Sequence, residues 1–123
     1  MTVVWMGLAA AGAVGATCRY LLDGAIRRRT ASEFPWGTFA VNMCGSLLLG
    51  LITGAALYHG FPRTPKVILG TGFCGAFTTF STWTFETVTL LEEGAVTDAL
   101  RNVALSLVVG AGAAGVGLAL ATL

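Results

Sequence analysis

The residues best suited to chemistry lie in the stretch 70–83, inside an otherwise apolar run. This stretch carries five hydroxyl groups, three glycines and four aromatic rings. Glycine favours loss of helical geometry, and hydroxyl groups can bond the backbone groups that a break frees, which lipid cannot do. The pattern therefore predicts a helix broken near Gly75, with a polar site around it. The alternative is an unbroken helix whose glycines pack and whose hydroxyls bond their own carbonyls.

The elements that must position this stretch are membrane helices. Of the 123 residues, 55% are hydrophobic and 11% are charged, and the mean hydropathy is +0.80. Such a chain has too few charges to cover a soluble domain. The net charge of +1 gives no reason to expect a nucleic-acid partner. Four stretches, here called segments one to four, are each close to the roughly 20 residues that cross a bilayer: approximately 3–25, 36–58, 67–91 and 99–122. We expect an all-α integral membrane protein, with residues 1–123 forming one four-span domain in the lipid bilayer.

Each of the other segments contributes polar groups. Segment one ends with Arg19 and Asp23, four residues apart, which form either an ion pair near the interface or, through Arg19, part of a vestibule. Segment two contains the amide of Asn42, which serves either a site or helix–helix association. Segment four contributes the hydroxyl of Ser106.

The depth of these groups in the membrane is estimated from the helical rise of about 1.5 Å per residue. Side A is the face with both termini and the 59–66 loop, and side B is the opposite face. Asn42, Phe80 and Ser106 all come to about 9 Å below side B, with Ser81 in the same layer and Arg19 above it. Amides, hydroxyls and ring edges without a carboxylate suit a small anion. Because no titratable group lies in this layer, we expect a channel and not an enzyme.

Small residues at helical spacing form faces on segments one, two and four. Gly12 and Gly15 are one example, and the GxxxG pair Gly50 and Gly54 is another. Such faces let helix backbones approach closely, and we expect them to need partners outside the chain. The cysteines lack metal-site spacing and are expected to be small buried hydrophobes: Cys18, Cys44 and Cys74.

At these polar residues the chain resembles the CrcB/Fluc family of fluoride channels. Three motifs carry the resemblance, in segments one, two and three: Gly12-Ala13-Val14-Gly15-Ala16-Thr17-Cys18-Arg19-Tyr20, Pro35-Trp36-Gly37-Thr38 leading to Asn42 and Gly45, and Gly75-Ala76-Phe77-Thr78-Thr79-Phe80-Ser81-Thr82. The third motif alone is close to diagnostic, and the order and spacing of the others add to it.

The resemblance implies a passive fluoride channel in the bacterial cell (inner) membrane that gives fluoride resistance. It implies an antiparallel, dual-topology homodimer with two pores and a structural sodium ion at its centre. It also implies roles for single residues: Asn42, Phe80, Thr79, Ser81, Thr82 and Ser106 along the fluoride path, Arg19 at the vestibule, the backbone carbonyls of Gly75 and Thr78 on sodium, and Glu86 as the acidic residue that follows the motif.

Two positions depart from the family pattern. Trp83 stands where a second pore-lining phenylalanine is usual, and it keeps an aromatic edge while adding an indole N–H donor. Phe85 is a possible displaced partner, but a shift of two positions rotates it off the face of Phe80. Ala76 replaces a common second glycine.

Two other functions compete with the channel. A small four-span, dual-topology drug or cation exporter would carry a glutamate inside its first span, where this chain has only Arg19 and Asp23. A non-transporting assembly subunit would need the glycine faces but not the polar layer.

Overall fold

The computed structural model describes residues 1–123, and all its regular structure is helical. In chain order the elements are α1 (Thr2–Arg29), α2 (Trp36–Tyr58), α3 (Arg63–Val67), a π-helical segment (Ile68–Cys74), α4 (Gly75–Phe77), α5 (Phe80–Glu92) and α6 (Val96–Leu120). Three of them, α1, α2 and α6, are long and apolar enough to cross a membrane. The remaining elements form the third segment, which is bent in the middle. The predicted all-α architecture with a broken third helix is confirmed.

The connections follow from local sequence. Pro35 lies just before α2, where its missing N–H costs no helical hydrogen bond. Gly60 (φ 63°) and Gly94 (φ 81°) turn the chain after α2 and after α5, in a backbone region that residues with a Cβ rarely adopt. Pro62 then precedes α3. After these turns the third segment packs mainly against α1, and α6 packs mainly against α2.

The break in the third segment lies at Thr78 and Thr79, three to four residues beyond the predicted position. Gly75 is helical (φ −62°, ψ −35°), whereas Thr78 (φ −79°, ψ 159°) and Thr79 (φ −146°, ψ 119°) are extended. Both extended residues have negative φ, so the break needs no glycine. The position of the break is set instead by the hydrogen bonds that Thr79 makes with Asn42. The π-helical segment before it is a wider helix of a kind often found at functional sites.

The glycine faces pack inside the chain. A Cβ at Gly15 would overlap the backbone carbonyl of Phe73, and a Cβ at Gly50 would overlap that of Ala114. The first contact joins α1 to the π-helical segment and the second joins α2 to α6. The expectation that these faces need partners outside the chain is therefore wrong, because the helices of one chain already fill them.

Most apolar side chains face outward, as expected for a protein surrounded by lipid. The largest fully buried side chains are Val41, Asn102 and Thr38, two of which are polar. Of the cysteines only Cys74 is buried, whereas Cys18 is intermediate and Cys44 is exposed. The expectation of three buried cysteines holds only for Cys74, because Cys18 is half-buried and Cys44 faces out of the bundle.

Candidate functional site

Asn42 of α2 holds the break in the third segment by two hydrogen bonds. Its Oδ1 accepts from the Thr79 N–H at 2.8 Å, and its Nδ2 donates to the Thr79 carbonyl oxygen at 3.0 Å. In an unbroken α-helix the Thr79 N–H would donate to the Gly75 carbonyl. An amide is the one uncharged side chain that offers a donor and an acceptor side by side, so it can replace both missing backbone partners. Asn42 therefore fixes the conformation of the break.

Hydroxyl groups add further hydrogen bonds at the break. The Thr78 hydroxyl donates to the Cys74 carbonyl at 2.8 Å. The Thr79 side chain caps α5 by accepting from the Thr82 N–H at 3.2 Å, and its hydroxyl donates to the Thr82 hydroxyl at 3.0 Å. The hydroxyl-rich motif thus supplies its own local partners, as the sequence predicts for backbone surrounded by lipid.

A cavity of about 400 Å³ opens beside the break. Seven of the predicted site residues line it: Asn42, Gly75, Thr78, Thr79, Phe80, Trp83 and Ser106. They come from α2, the broken third segment and α6, and no Asp, Glu, His, Lys or Arg is among the lining residues. Ser81 and Thr82 do not line the cavity. Of the predicted layer, Asn42, Phe80 and Ser106 therefore line one cavity, whereas Ser81 does not.

Phe80 and Trp83 form an aromatic pair at the cavity. Their ring centroids lie 5.3 Å apart with the planes tilted by 48°, a separation at which aromatic rings attract one another. Phe80 is 76% exposed in the single chain. The Trp83 Nε1–H donates to the backbone carbonyl of Asn102 at 3.3 Å. The indole donor that Trp83 adds is thus bonded to α6, and Trp83 also lines the cavity.

Asn102 is a residue that sequence reasoning missed. It is 0% exposed, and its Nδ2 donates to the Thr87 hydroxyl of α5 at 2.8 Å. The Ser106 hydroxyl donates to its Oδ1 at 3.4 Å. The available signal was an amide in an apolar segment, as for Asn42. Asn102 also lies four residues before Ser106, on the same helical face.

Arg19 and Asp23 do not pair with each other. The Arg19 Nη1 donates to the Thr78 carbonyl oxygen at 3.3 Å, whereas Asp23 accepts from Arg27 Nε at 2.9 Å. The alternative of an Arg19–Asp23 ion pair is therefore wrong, because a second arginine one turn further along α1 takes the carboxylate. Arg19 and Asp23 share a separate groove of about 190 Å³ with Thr79 and Thr82.

Glu86 joins three helices on side B. Its Oε1 accepts from the Thr38 hydroxyl of α2 at 2.9 Å and from Arg27 of α1. Its Oε2 is buried without a hydrogen-bond partner. A charged carboxylate inside a membrane bundle is costly unless other groups compensate its charge. Arg27 and Thr38 stabilise the Glu86 carboxylate through its Oε1. Glu86 does not line the 400 Å³ cavity.

A cation at the break would have only oxygen dipoles as ligands. No cluster of three or more His, Cys, Asp or Glu side chains lies anywhere in the chain. The Thr79 N–H, which would bond the Gly75 carbonyl in a continuous helix, donates to Asn42 instead. Nothing lies within 4 Å of the position that a Cβ on Gly75 would occupy. The Thr78 carbonyl already accepts from Arg19. Backbone carbonyls are suitable ligands for a hard cation, and Gly75 fits that role better than Thr78.

Comparisons with known proteins agree on one family. The family model described as "CrcB-like protein, Camphor Resistance (CrcB)" matches residues 6–118. "Fluoride-specific ion channel FluC 2" of Mycolicibacterium paratuberculosis is 46% identical over 120 residues, covering 98% of this chain and 95% of the relative. "Fluoride-specific ion channel FluC 1" of Symbiobacterium thermophilum is 50% identical over 119 residues, covering 94% and 95%. The protein of the same name from Frankia casuarinae is 47% identical over 122 residues, covering 95% of each chain.

The match runs from the first turns of α1 almost to the end of α6 and includes every residue of the broken segment and of the cavity. The chain therefore belongs to the CrcB/Fluc family.

Proposed function

We propose that this chain is a fluoride channel of the bacterial cell (inner) membrane, through which fluoride leaves the cytoplasm down its gradient. The observation that carries the proposal is the cavity at the break, where Asn42, Ser106 and the Phe80–Trp83 pair meet without a carboxylate. The positive edges of the aromatic rings attract a small anion, and the Asn42 amide has a second N–H beyond the one that donates to Thr79. The relatives named fluoride-specific ion channels supply the identity of that anion.

The exporter and an enzymatic function are less well supported. A cation exporter needs a free carboxylate in the first span, but Asp23 is paired with Arg27. General acid–base catalysis needs a positioned titratable pair, and the cavity lining holds only the thiol of Cys74. A passive channel needs neither a free carboxylate in the first span nor a titratable pair.

We assign pore roles to the lining residues Asn42, Phe80, Trp83, Thr79 and Ser106. Ser81 and Thr82 would act outside the cavity: Thr82 lies in the groove with Arg19, and the Ser81 hydroxyl lies 3.5 Å from that of Thr79. Arg19 would raise the local concentration of anions at the vestibule. Its bond to Thr78 places this charge directly against the break.

The active unit we propose is an antiparallel homodimer with a sodium ion at its centre. The support is the exposure of Phe80 and the open space beside Gly75, both on the cavity side of the chain. The Gly75 and Thr78 carbonyls of both chains would hold the sodium, with Thr78 sharing its oxygen with Arg19. When bound, the ion would supply positive charge that joins the two broken segments.

Fluoride efflux from proteoliposomes, followed with a fluoride electrode, tests the function. The full chain should release fluoride down its gradient, and vesicles loaded with chloride should release much less. Asn42→Asp should silence efflux, because it places a negative charge in the anion path and removes the Nδ2 donor to Thr79. Cys44→Ser, an exposed change two residues further along α2, is the control and should conduct. Normal efflux from a folded Asn42→Asp protein would contradict the proposal.

A further inference from the structure

Asn102 of α6 and Thr87 of α5 join these two helices without lining the cavity themselves. The buried Nδ2 of Asn102 donates to Thr87 at 2.8 Å, and the Thr87 hydroxyl donates to the Trp83 carbonyl at 2.8 Å. Its backbone carbonyl accepts from the Trp83 indole, and its Oδ1 accepts from Ser106. Trp83 and Ser106 both line the cavity, whereas Asn102 and Thr87 do not.

We propose that Asn102 is a positioning residue that, together with Thr87, holds the Trp83 ring and the Ser106 hydroxyl in place at the cavity. This inference rests on the proposed function and deepens it. An amide completely enclosed in an apolar bundle loses its hydration, so its energy depends strongly on complete hydrogen bonding. Here the partners of the amide are a side chain of α5 and a side chain of the cavity wall. The bond to Thr87 sets the position of α6 along α5, which brings the Asn102 carbonyl to the indole N–H.

The dependence on tryptophan follows from its indole N–H, which donates to the Asn102 carbonyl. A phenylalanine at position 83 would need no hydrogen-bond acceptor from α6. The indole N–H must find one, because an unbonded donor in a lipid-surrounded bundle is costly. Asn102 thus matters to the site through the indole of Trp83.

Simple helix–helix association is the competing explanation for the same amide. In that case loss of Asn102 or Thr87 would loosen α5 against α6 regardless of the residue at position 83. The two explanations therefore differ in the coupling between positions 102 and 83, which a double-mutant cycle measures.

The first experiment measures this coupling in fluoride efflux from proteoliposomes. Asn102→Leu and Thr87→Val are each made in the parent chain and in the Trp83→Phe background. We expect each to lower efflux about tenfold in the parent and by less than about threefold in the Trp83→Phe background. Thr87→Val keeps the shape of the side chain, so it decides the question if Asn102→Leu does not fold. Equal fractional losses in the two backgrounds would overturn the proposal.

The second experiment does not depend on fluoride. In a Trp5→Phe/Trp36→Phe protein, Trp83 is the only fluorophore of its kind. Its steady-state anisotropy should fall when Asn102→Leu or Thr87→Val releases the ring. Thr84→Val is the matched control and should leave the anisotropy unchanged, since the Thr84 hydroxyl bonds only the Phe80 carbonyl of its own helix.

The two readouts separate the two proposals. If the parent chain passes no fluoride, the proposed function falls, and the anisotropy alone decides the role of Asn102. An unchanged anisotropy in folded Thr87→Val protein would show that Trp83 is held by packing, and the positioning role would be overturned.

Discussion

At the scale of single residues, the site combines amide, hydroxyl and aromatic groups, none of which carries a charge. The amide of Asn42 bonds both backbone groups of Thr79: its oxygen accepts from the N–H and its nitrogen donates to the carbonyl. In the aromatic pair, the Phe80 ring is exposed, whereas the Trp83 indole is hydrogen-bonded to α6. These different attachments predict different responses to substitution.

Phe80→Ile should lower fluoride efflux while leaving assembly intact. Isoleucine keeps the hydrophobicity but removes the positive ring edge, and the 76% exposed ring has little packing to lose within the chain. The measurement is electrode efflux together with gel filtration of the detergent-solubilised protein. Phe85→Ile is the matched control, because Phe85 is 71% exposed on the same helix but lies outside the cavity. Unchanged efflux in Phe80→Ile would assign Phe80 to packing.

Trp83→Phe should keep conduction and Trp83→Ala should impair it. Phe80 and Trp83 are three residues apart on one face of α5, so the ring at position 83 continues the aromatic wall. Phenylalanine retains the ring and alanine does not. Efflux at the parental rate from Trp83→Ala would mean that the aromatic pair has no part in conduction.

At the scale of helices, the third segment is held against its neighbours by two kinds of contact. Glycines bring backbones together along α1 and between α2 and α6. Polar side chains then join the broken segment to its surroundings, through Asn42 and Arg19 at the break and through Glu86 on side B. In lipid, packing and hydrogen bonds carry helix association, because apolar burial alone gains little there.

Gly50→Ala should destabilise the protein, because the added Cβ would meet the backbone of Ala114, which cannot move aside as a side chain can. Overpacking of this kind costs typically about 1–3 kcal/mol. Thermal unfolding in detergent measures the effect. Gly112→Ala is the matched control on α6: its Cβ would meet open space, and alanine has the higher helix propensity. Equal melting temperatures for Gly50→Ala and the parent would contradict the close packing of α2 on α6.

At the scale of the whole molecule, the charged ends of the helices determine how the chain inserts. Side B carries Arg27, Arg28, Arg29 and Arg101, and side A carries Arg63, Lys66 and the N-terminal amine. Orientation follows the imbalance of Lys and Arg between short loops, and this imbalance is small.

Dual topology can be tested by labelling intact cells. Ala31→Cys places one exposed thiol on side B without changing the charge balance, in a background lacking Cys18, Cys44 and Cys74. An impermeant thiol reagent should label roughly half of the protein before lysis, because the weak charge bias favours neither orientation. Because Cys74 is buried at the cavity, the background must first be shown to conduct. Labelling of nearly all or none of the protein would contradict the dual-topology model.

The sequence by itself determined the features that depend on local composition and periodicity. The lengths of the apolar stretches are enough to predict the helices. The hydroxyl-rich motif predicts a broken third segment because it is the one apolar run that carries polar partners for a freed backbone. The depth count placed Asn42, Phe80, Ser81 and Ser106 in one layer, and all of them except Ser81 line one cavity. The motifs also identified the family.

The tertiary structure decided which group meets which. The break lies at Thr79 and not at Gly75, because the amide that replaces the missing backbone bonds comes from α2. Asp23 pairs with Arg27, which leaves Arg19 to bond the Thr78 carbonyl. The glycine faces find their partners within the chain, and Asn102 meets Trp83 from a different helix. Helical periodicity assigns a residue to a face, but the partner of that face depends on how distant segments pack, which no local pattern in the sequence encodes.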